Sequence, residues 1–170
     1  MDAEALKALQ APIKERYRET PDAALITLKA EGTVGEGVTC SVRTGQALIE
    51  AGLHPATGGT GMQACSGDML LEALVACAGV TLNAVATALG YEIGEAKVRA
   101  EGDLDFRGTL GVAKEAPVGF RDIRLSFEID GDLSDEQRAT LLKLTERYCV
   151  VYQTLRSAPA IDVAMRKAGS

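Results

Sequence analysis

The sequence predicts an α+β fold in which a long, buried central helix packs on a largely antiparallel sheet. Hydrophobic residues alternate with a period of two in segments on both sides of the chain's centre, which is typical of strands. Between these segments, Asp68–Leu89 is apolar with helical spacing, and Ser134–Gln137 is a capping box that opens a second helix. This order of strands, helix, strands and helix indicates an α+β architecture.

Length and composition indicate a globular protein with its own core. The chain has 170 residues, of which 46% are hydrophobic and 25% charged. We expect a helical appendage over residues 1–20 and one main domain over residues 21–170. The formal net charge of −6 argues against a nucleic-acid partner, because phosphate binding needs a surplus of Lys and Arg. Aromatic residues make up 4% of the chain and Trp is absent, so base-stacking platforms are not expected.

The N-terminal half is predicted to contain one helix and three strands. Residues 3–18 have apolar residues at helical spacing, and Pro12 predicts a kink or two short helices. The first residues carry charge throughout and resemble no signal peptide, which predicts a cytoplasmic protein with reduced thiols. The glycine-rich loop His54–Gly61 is interpreted as turns, since no Gly-Lys-Ser/Thr follows it. The predicted strands are Leu25–Ala30, Val38–Arg43 and Gln46–Glu50.

The central helix, with Ser66 as its expected N-cap, is apolar on all sides. Asp68, Glu72 and Asn83 argue against a membrane span, so we expect a helix buried in a soluble protein. Small residues recur along it, and they would allow another helix, from this chain or from a second subunit, to approach closely: Ala73, Ala76, Ala78, Gly79 and Ala84.

The C-terminal half returns to strands before the second helix. That helix runs from Ser134 past Tyr148, with Cys149 on it or at its end, and Pro159 ends the apolar stripe. The predicted strands are Ala96–Ala100, Asp103–Arg107, Arg121–Ile129 and a last strand at Ile161–Met165.

Four cysteines, Cys40, Cys65, Cys77 and Cys149, are the candidates for chemistry. No CxxC pair occurs and His54 is the single histidine, which excludes zinc ribbons, zinc fingers and thioredoxin-type motifs.

Cys77 is either a small core residue or a nucleophilic thiol. It lies beyond the first turn of its helix, so the helix dipole does not activate it and a cation from another element would be needed. The same alternatives hold for Cys149, whose neighbour Arg147 points elsewhere on a helix. Cys40, in a strand, and Cys65, before the central helix, are interpreted as structural.

Two segments carry a resemblance to a known family. The helix Met69–Leu82, with Cys77 at its centre and a Gly-Gly loop before it, resembles the signature helix of the OsmC/Ohr family of osmotically inducible and organic-hydroperoxide-resistance proteins. The segment Glu146–Leu155 resembles the family's second cysteine motif, and residues 101–108 and 119–124 are similar to its linking strands. The resemblance extends from Ala23 to Met165.

The resemblance implies an OsmC-like fold, an intertwined homodimer and a thiol peroxidase with sites at the subunit interface. Cys77 would attack the peroxide and become a sulfenic acid, Cys149 would condense with it to a disulfide, and a dithiol reductant would reopen that bond. No metal or cofactor is implied. The apolar surroundings of Cys77 favour an organic hydroperoxide. The alternatives are a non-catalytic or redox-sensing dimer that binds a small apolar ligand, and two thiols that only fill the core.

The resemblance also implies supporting residues for the thiolate. The family uses an arginine from an N-terminal strand, for which Arg43 is the match, and the alternative is an exposed charge at a strand end. An acidic residue usually orients that arginine, but Gly67 occupies the matching position, which leaves Asp68 and Glu72 as substitutes. Val150 follows the second cysteine where the family commonly has proline.

Overall fold

The computed structural model describes residues 2–19, 32–34, 39–44, 47–111 and 113–167. The strand predicted at Leu25–Ala30 lies outside these residues. Helix α1 spans Ala3–Glu19 as one element. The alternative of two short helices was therefore wrong: Pro12 removes a single backbone donor, and the helix, which packs against the central helix, continues through it. The division of the chain at residue 20 stays a prediction.

A first sheet precedes the central helix. Its strands are β1 (Gly32–Val34), β2 (Thr39–Thr44), β3 (Ala47–Gly52) and β4 (Ala64–Cys65), in that spatial order. The pairs β1–β2 and β2–β3 are antiparallel, which confirms two of the predicted strands, whereas β4 runs parallel to β3. A 3-10 turn at Pro55–Thr57 lies between β3 and β4, and Gly58 and Gly61 follow with φ of 92° and 78°, so the glycine-rich loop forms turns as predicted.

Helix α2 spans Ser66–Leu89 and is the central helix. Its N-cap is Cys65 rather than Ser66, because β4 leads straight into the helix. By length and composition α2 could cross a membrane, a test that the core helices of soluble proteins also meet. Within the described residues of the single chain, the fully buried positions of α2 form one stripe: Leu74, Ala78, Leu82 and Ala86.

The second sheet is an antiparallel pair. Strand β5 spans Ala96–Leu104 and β6 spans Phe120–Ile129. The separate strand predicted at Asp103–Arg107 was wrong: β5 runs on through Gly102, where the Phe120 ring occupies the space that a Cβ would fill. The Asp105 side chain then accepts from the Arg107 N–H and caps a short helix, α3 (Phe106–Thr109).

The second predicted helix is two helices. Ser134 and Gln137 form the predicted capping box and open α4 (Asp135–Tyr148), and α5 spans Val150–Arg156. Cys149 joins them, with an extended backbone (φ −73°, ψ 108°). The strand predicted at Ile161–Met165 was wrong for the single chain, since the segment forms no strand and the side chains of Ile161, Val163 and Met165 are 80%, 91% and 100% exposed.

The core lies between α2, the β5–β6 sheet and helices α4 and α5. One cluster of buried residues joins Leu82 and Ala86 of α2 to Leu133 and Leu141. The other joins Leu74 and Ala78 to Cys149. These clusters fix α2 against the junction of α4 and α5, and so position the site.

Candidate active site

Cys77 and Cys149, here called the cysteine pair, meet in the second core cluster. Cys77 is half-buried on α2, at the edge of the buried stripe, and Cys149 is 0% exposed at the α4–α5 junction. Both are free thiols that pack in one cluster with Leu74 and Ala78. The structure therefore brings together the two cysteines that the sequence singled out.

Polar groups converge on the Cys77 sulfur. Burial raises the pKa of Cys77, but hydrogen bonds from the Val151 N–H, the Cys149 side chain, the Val150 N–H and the Thr81 hydroxyl together hold it below the value of an ordinary thiol. The Thr81 hydroxyl has a single proton, which it shares between the sulfur and the Cys77 carbonyl oxygen, 2.8 Å from its Oγ1. The thiolate of Cys77 is thus stabilised by donors of this chain.

The pKa of Cys149 moves in the opposite direction. Burial raises it, and the neighbouring Cys77 raises it further, against a lowering contribution from the Tyr152 N–H. The Cys149 N–H donates to the Thr145 carbonyl at 2.9 Å, and the Cys149 carbonyl accepts from the Gln153 N–H at 3.0 Å. Because neighbouring thiols with separated pKa values differ in thiolate content, Cys77 has the character of the nucleophile and Cys149 that of its neutral partner.

The predicted supporting residues lie apart from the cysteine pair. Arg43 is on β2, paired with Leu48 of β3, and its side chain lies outside the described part of the structure. Its sheet joins α2 at Cys65, and Cys77 lies about 18 Å further along the helix. Asp68 and Glu72 are exposed side chains on α2. Of the side chains that the structure describes, neither Asp68 nor Glu72 is among the groups that set the pKa of Cys77.

The other two cysteines are not joined to this pair. Cys65 is half-buried at the start of α2, in a cleft of about 360 Å³ that it shares with His54 and Phe106. The His54 ring stacks on Phe106 at 4.9 Å, and its Nδ1 accepts from the Ala56 N–H at 3.0 Å. Cys40 lies on β2 opposite Ala51, with its side chain outside the described residues. Within the described residues, no group of three or more His, Cys, Asp or Glu side chains could hold a metal ion.

Sequence reasoning missed the donors that reach Cys77 from its own chain. It expected activation by a cation, whereas the contacts within the described residues are backbone N–H groups at the start of α5 and a hydroxyl. Thr81 could have been found, since it lies four residues after Cys77 on a helix. The N–H groups of Val150 and Val151 could not, because nothing in the local sequence marks the break at Cys149.

An apolar groove of about 540 Å³ lies next to the cysteine pair. Leu74, which packs against Cys149, is one of its lining residues. Its apolar lining is Leu74, Phe120, Ile123, Leu125, Phe127, Leu142, Tyr152 and Leu155, and its polar residues are Arg121, Asp122, Glu146 and Arg156.

The fold and the site define a class of protein: an α+β domain with a thiol pair at the junction of a central helix and a broken C-terminal helix. The family model described as OsmC-like protein matches residues 59–164. The chain therefore belongs to the OsmC-like family, and its fold is the OsmC-like fold. No functionally curated protein matches the chain.

Solved structures agree on the fold. The OsmC-like protein from Mycoplasma pneumoniae is 20% identical, with a TM-score of 0.64 over 78% of this chain and 89% of that one. An organic hydroperoxide resistance protein from Elizabethkingia anophelis is 21% identical, with a TM-score of 0.63 over 79% and 91%. The organic hydroperoxide resistance protein OhrB of Bacillus subtilis is 21% identical, with a TM-score of 0.56 over 79% and 94%.

Proposed function

We propose that this protein is a thiol peroxidase that reduces organic hydroperoxides in the response to oxidative stress. The observation that carries the proposal is the contact between two thiols whose pKa values are moved apart, lowered for Cys77 and raised for Cys149. Membership of a family that includes organic hydroperoxide resistance proteins supports the same chemistry.

In the oxidative half-reaction, the Cys77 thiolate attacks the terminal oxygen of the hydroperoxide. The S–O bond forms as the O–O bond breaks, and the leaving alkoxide takes up a proton to become the alcohol. Cys77 is oxidised to a sulfenic acid. The hydrogen bonds that lower the pKa of Cys77 increase the fraction of reactive thiolate at a given pH.

Cys149 then resolves the sulfenic acid. Its sulfur attacks the Cys77 sulfur, the S–S bond forms as the S–O bond breaks, and the sulfenic hydroxyl leaves as water with the Cys149 proton. A dithiol reductant returns the pair to two thiols and becomes a disulfide itself. The cycle uses only the two cysteines, the peroxide and the reductant, with no metal or cofactor.

The apolar groove supports an organic substrate. Most of its lining residues are aliphatic or aromatic, and one of them, Leu74, packs against Cys149. An alkyl or aryl hydroperoxide gains free energy by burying its carbon skeleton there, whereas hydrogen peroxide has none to bury. Preference for organic peroxides is therefore part of the proposal.

We further propose that the protein is a homodimer in the cytoplasm. Within the described residues, one face of α2 is apolar and uncovered. On this face the Val80 side chain is 72% exposed and the Leu70 side chain 37% exposed. Three alanines on the same face are also exposed: Ala73, Ala76 and Ala84. The face adjoins Cys77, so a second copy seated on it would close the site and could supply Arg43. An apolar strip of this length exposed on one element is typical of an interface.

Steady-state turnover tests the peroxidase proposal. We expect the wild type to consume cumene hydroperoxide with dithiothreitol, and Cys77→Ser to fall to the rate without enzyme. Cys149→Ser should form one sulfenic acid, trapped by dimedone and seen in the intact mass. Cys65→Ser is the matched control and should keep the wild-type rate. A wild type that consumes no peroxide above background contradicts the proposal.

The same samples decide the alternative of a redox sensor that binds a small apolar ligand. A sensor treated with one equivalent of peroxide loses two hydrogens once, as the disulfide forms, and does not turn over with excess reductant. Repeated turnover therefore supports the peroxidase, and a single oxidation without turnover supports the sensor.

A further inference from the structure

One buried polar group near the cysteine pair has no hydrogen-bond partner. The Thr145 hydroxyl is 1% exposed and finds no partner among the described residues. A threonine inside a helix usually satisfies its hydroxyl on the carbonyl one turn earlier, and a buried hydroxyl left unpaired destabilises the fold. This hydroxyl is therefore available as a hydrogen-bond donor to a neighbouring group.

Thr145 lies one turn before Cys149. The Thr145 carbonyl accepts the Cys149 N–H at 2.9 Å, which places the two residues four apart on one face of the helix. Both side chains are buried, Cys149 at 0% exposure. The unpaired hydroxyl thus lies one helical turn before Cys149, and it makes no hydrogen bond to the neutral Cys149 thiol. A neutral thiol is a weak acceptor, whereas a thiolate is a strong one.

Burial also decides which sulfur of the disulfide a reductant meets. Cys77 is half-buried and Cys149 is fully buried, so a reductant thiolate reaches the Cys77 sulfur. In that step the bond between the reductant sulfur and the Cys77 sulfur forms, the Cys77–Cys149 bond breaks, and its electron pair leaves on Cys149. The leaving thiolate is thus formed where no water can solvate it.

We propose that the Thr145 hydroxyl donates a hydrogen bond to the Cys149 sulfur as it leaves as a thiolate, and so speeds reduction of the Cys77–Cys149 disulfide. This inference rests on the proposed redox cycle. It assigns to the Thr145 hydroxyl a role in the reductive half-reaction, in which the disulfide is reopened. Burial and the neighbouring Cys77 raise the pKa of Cys149 even with the Tyr152 N–H acting on its sulfur, so a further donor would make it a better leaving group.

The experiment compares Thr145→Val, which keeps the shape and removes the hydroxyl, with Thr145→Ser, which keeps it. The disulfide is made with diamide, so that no peroxidase activity is needed, and its reduction by dithiothreitol is followed in a single turnover. We expect Thr145→Val to slow reduction roughly 10-fold or more, the size of one lost hydrogen bond to a charged group, and Thr145→Ser to stay near the wild type. The same loss should raise the pKa of Cys149 in a Cys77→Ser background, measured from thiolate absorbance.

A purely structural hydroxyl would give a different pattern. Thr145→Val would then change the urea midpoint but neither the reduction rate nor the pKa of Cys149, and that result overturns the inference, as does a wild type in which diamide forms no disulfide. If peroxide consumption is absent while Thr145→Val still slows reduction, the proposed function fails and this inference stands. If peroxide is consumed while Thr145→Val and wild type are reduced at one rate, the inference fails alone.

Discussion

At the scale of single residues, the surroundings of two chemically identical thiols move their pKa values in opposite directions. The Cys77 sulfur faces the N–H groups of Val150 and Val151, while the Cys149 sulfur is enclosed in the core. Val150 is the first residue of α5, so its N–H has no acceptor within that helix and is available to the sulfur. Since proline at this position would lack the N–H, valine adds one donor to the site.

Replacing Val150 with proline tests this donor. Proline suits the first position of a helix, and the extended backbone of Cys149 suits the residue before it, so the main loss is one N–H. We expect the pKa of Cys77 to rise by about one pH unit, moving the inflection of its alkylation rate upward. Because the thiolate reacts, alkylation by iodoacetamide at pH 6 should slow, while the rates at a pH above both pKa values converge. Val150→Ala keeps the N–H and serves as the control; equal inflections for the two variants would contradict the prediction.

Sequence reasoning found the cysteines but not what activates them. Cys77 and Cys149 could be selected because each lies in a motif that resembles a family signature, and the structure places them in one cluster. The activating donors depend on where α4 stops, which is a tertiary event: Cys149 packs on Leu74 and Ala78, and α5 starts in a new direction from there. No local pattern encodes that contact.

At the scale of elements, periodicity predicted α2, α4 and most strands, and failed where packing overrides local signals. Gly102 looked like the end of a strand, yet β5 continues through it because the Phe120 ring packs where a side chain would stand. Gly79 is the opposite case, a glycine inside α2 with ordinary space around it. A Cβ at Gly79 would meet Val98 Cγ2 at 3.6 Å, and one at Gly102 would lie 2.6 Å from Phe120 Cδ1.

Alanine at these two glycines should therefore change stability in opposite directions. Gly79→Ala should raise the free energy of unfolding by about 0.5–1 kcal/mol, because alanine favours a helix over glycine. Gly102→Ala should lower it by about 1–3 kcal/mol, since Phe120 must move to admit the methyl group. Urea unfolding curves for the two variants and the wild type measure both effects. If Gly102→Ala were more stable than the wild type, the Phe120 ring would not pack on Gly102 as described. If Gly79→Ala were less stable while remaining in the same oligomeric state, the space around Gly79 would be smaller than described.

At the scale of the whole molecule, α2 is more apolar than one chain requires. Its composition predicted a buried helix, and the described residues of one chain fully bury the stripe from Leu74 to Ala86. The C-terminal segment has the same character, since Ile161 and Val163 alternate with Asp162 and Ala164 as in a strand, yet it pairs with no described strand. A second copy of the chain would explain both the uncovered apolar face of α2 and the unpaired C-terminal segment, because it could pack against each of them. A sequence pattern indicates that a residue is buried, but not which chain buries it.

Val80 lies at the centre of the uncovered face of α2 and is 72% exposed, so Val80→Asp tests the dimer directly. A carboxylate there would be desolvated if α2 packs against a second copy, and would be solvated at little cost if it does not. We expect sedimentation at micromolar concentration to give twice 17.8 kDa for the wild type and 17.8 kDa for Val80→Asp. Val118→Asp, at a position 65% exposed outside α2, is the control and should remain dimeric.

Because both cysteines belong to one chain, the monomeric variant should still form its disulfide with diamide, while peroxide turnover falls as the partner's contribution to the site is lost. A monomeric wild type, or a Val80→Asp that sediments as the wild type does, would overturn the dimer.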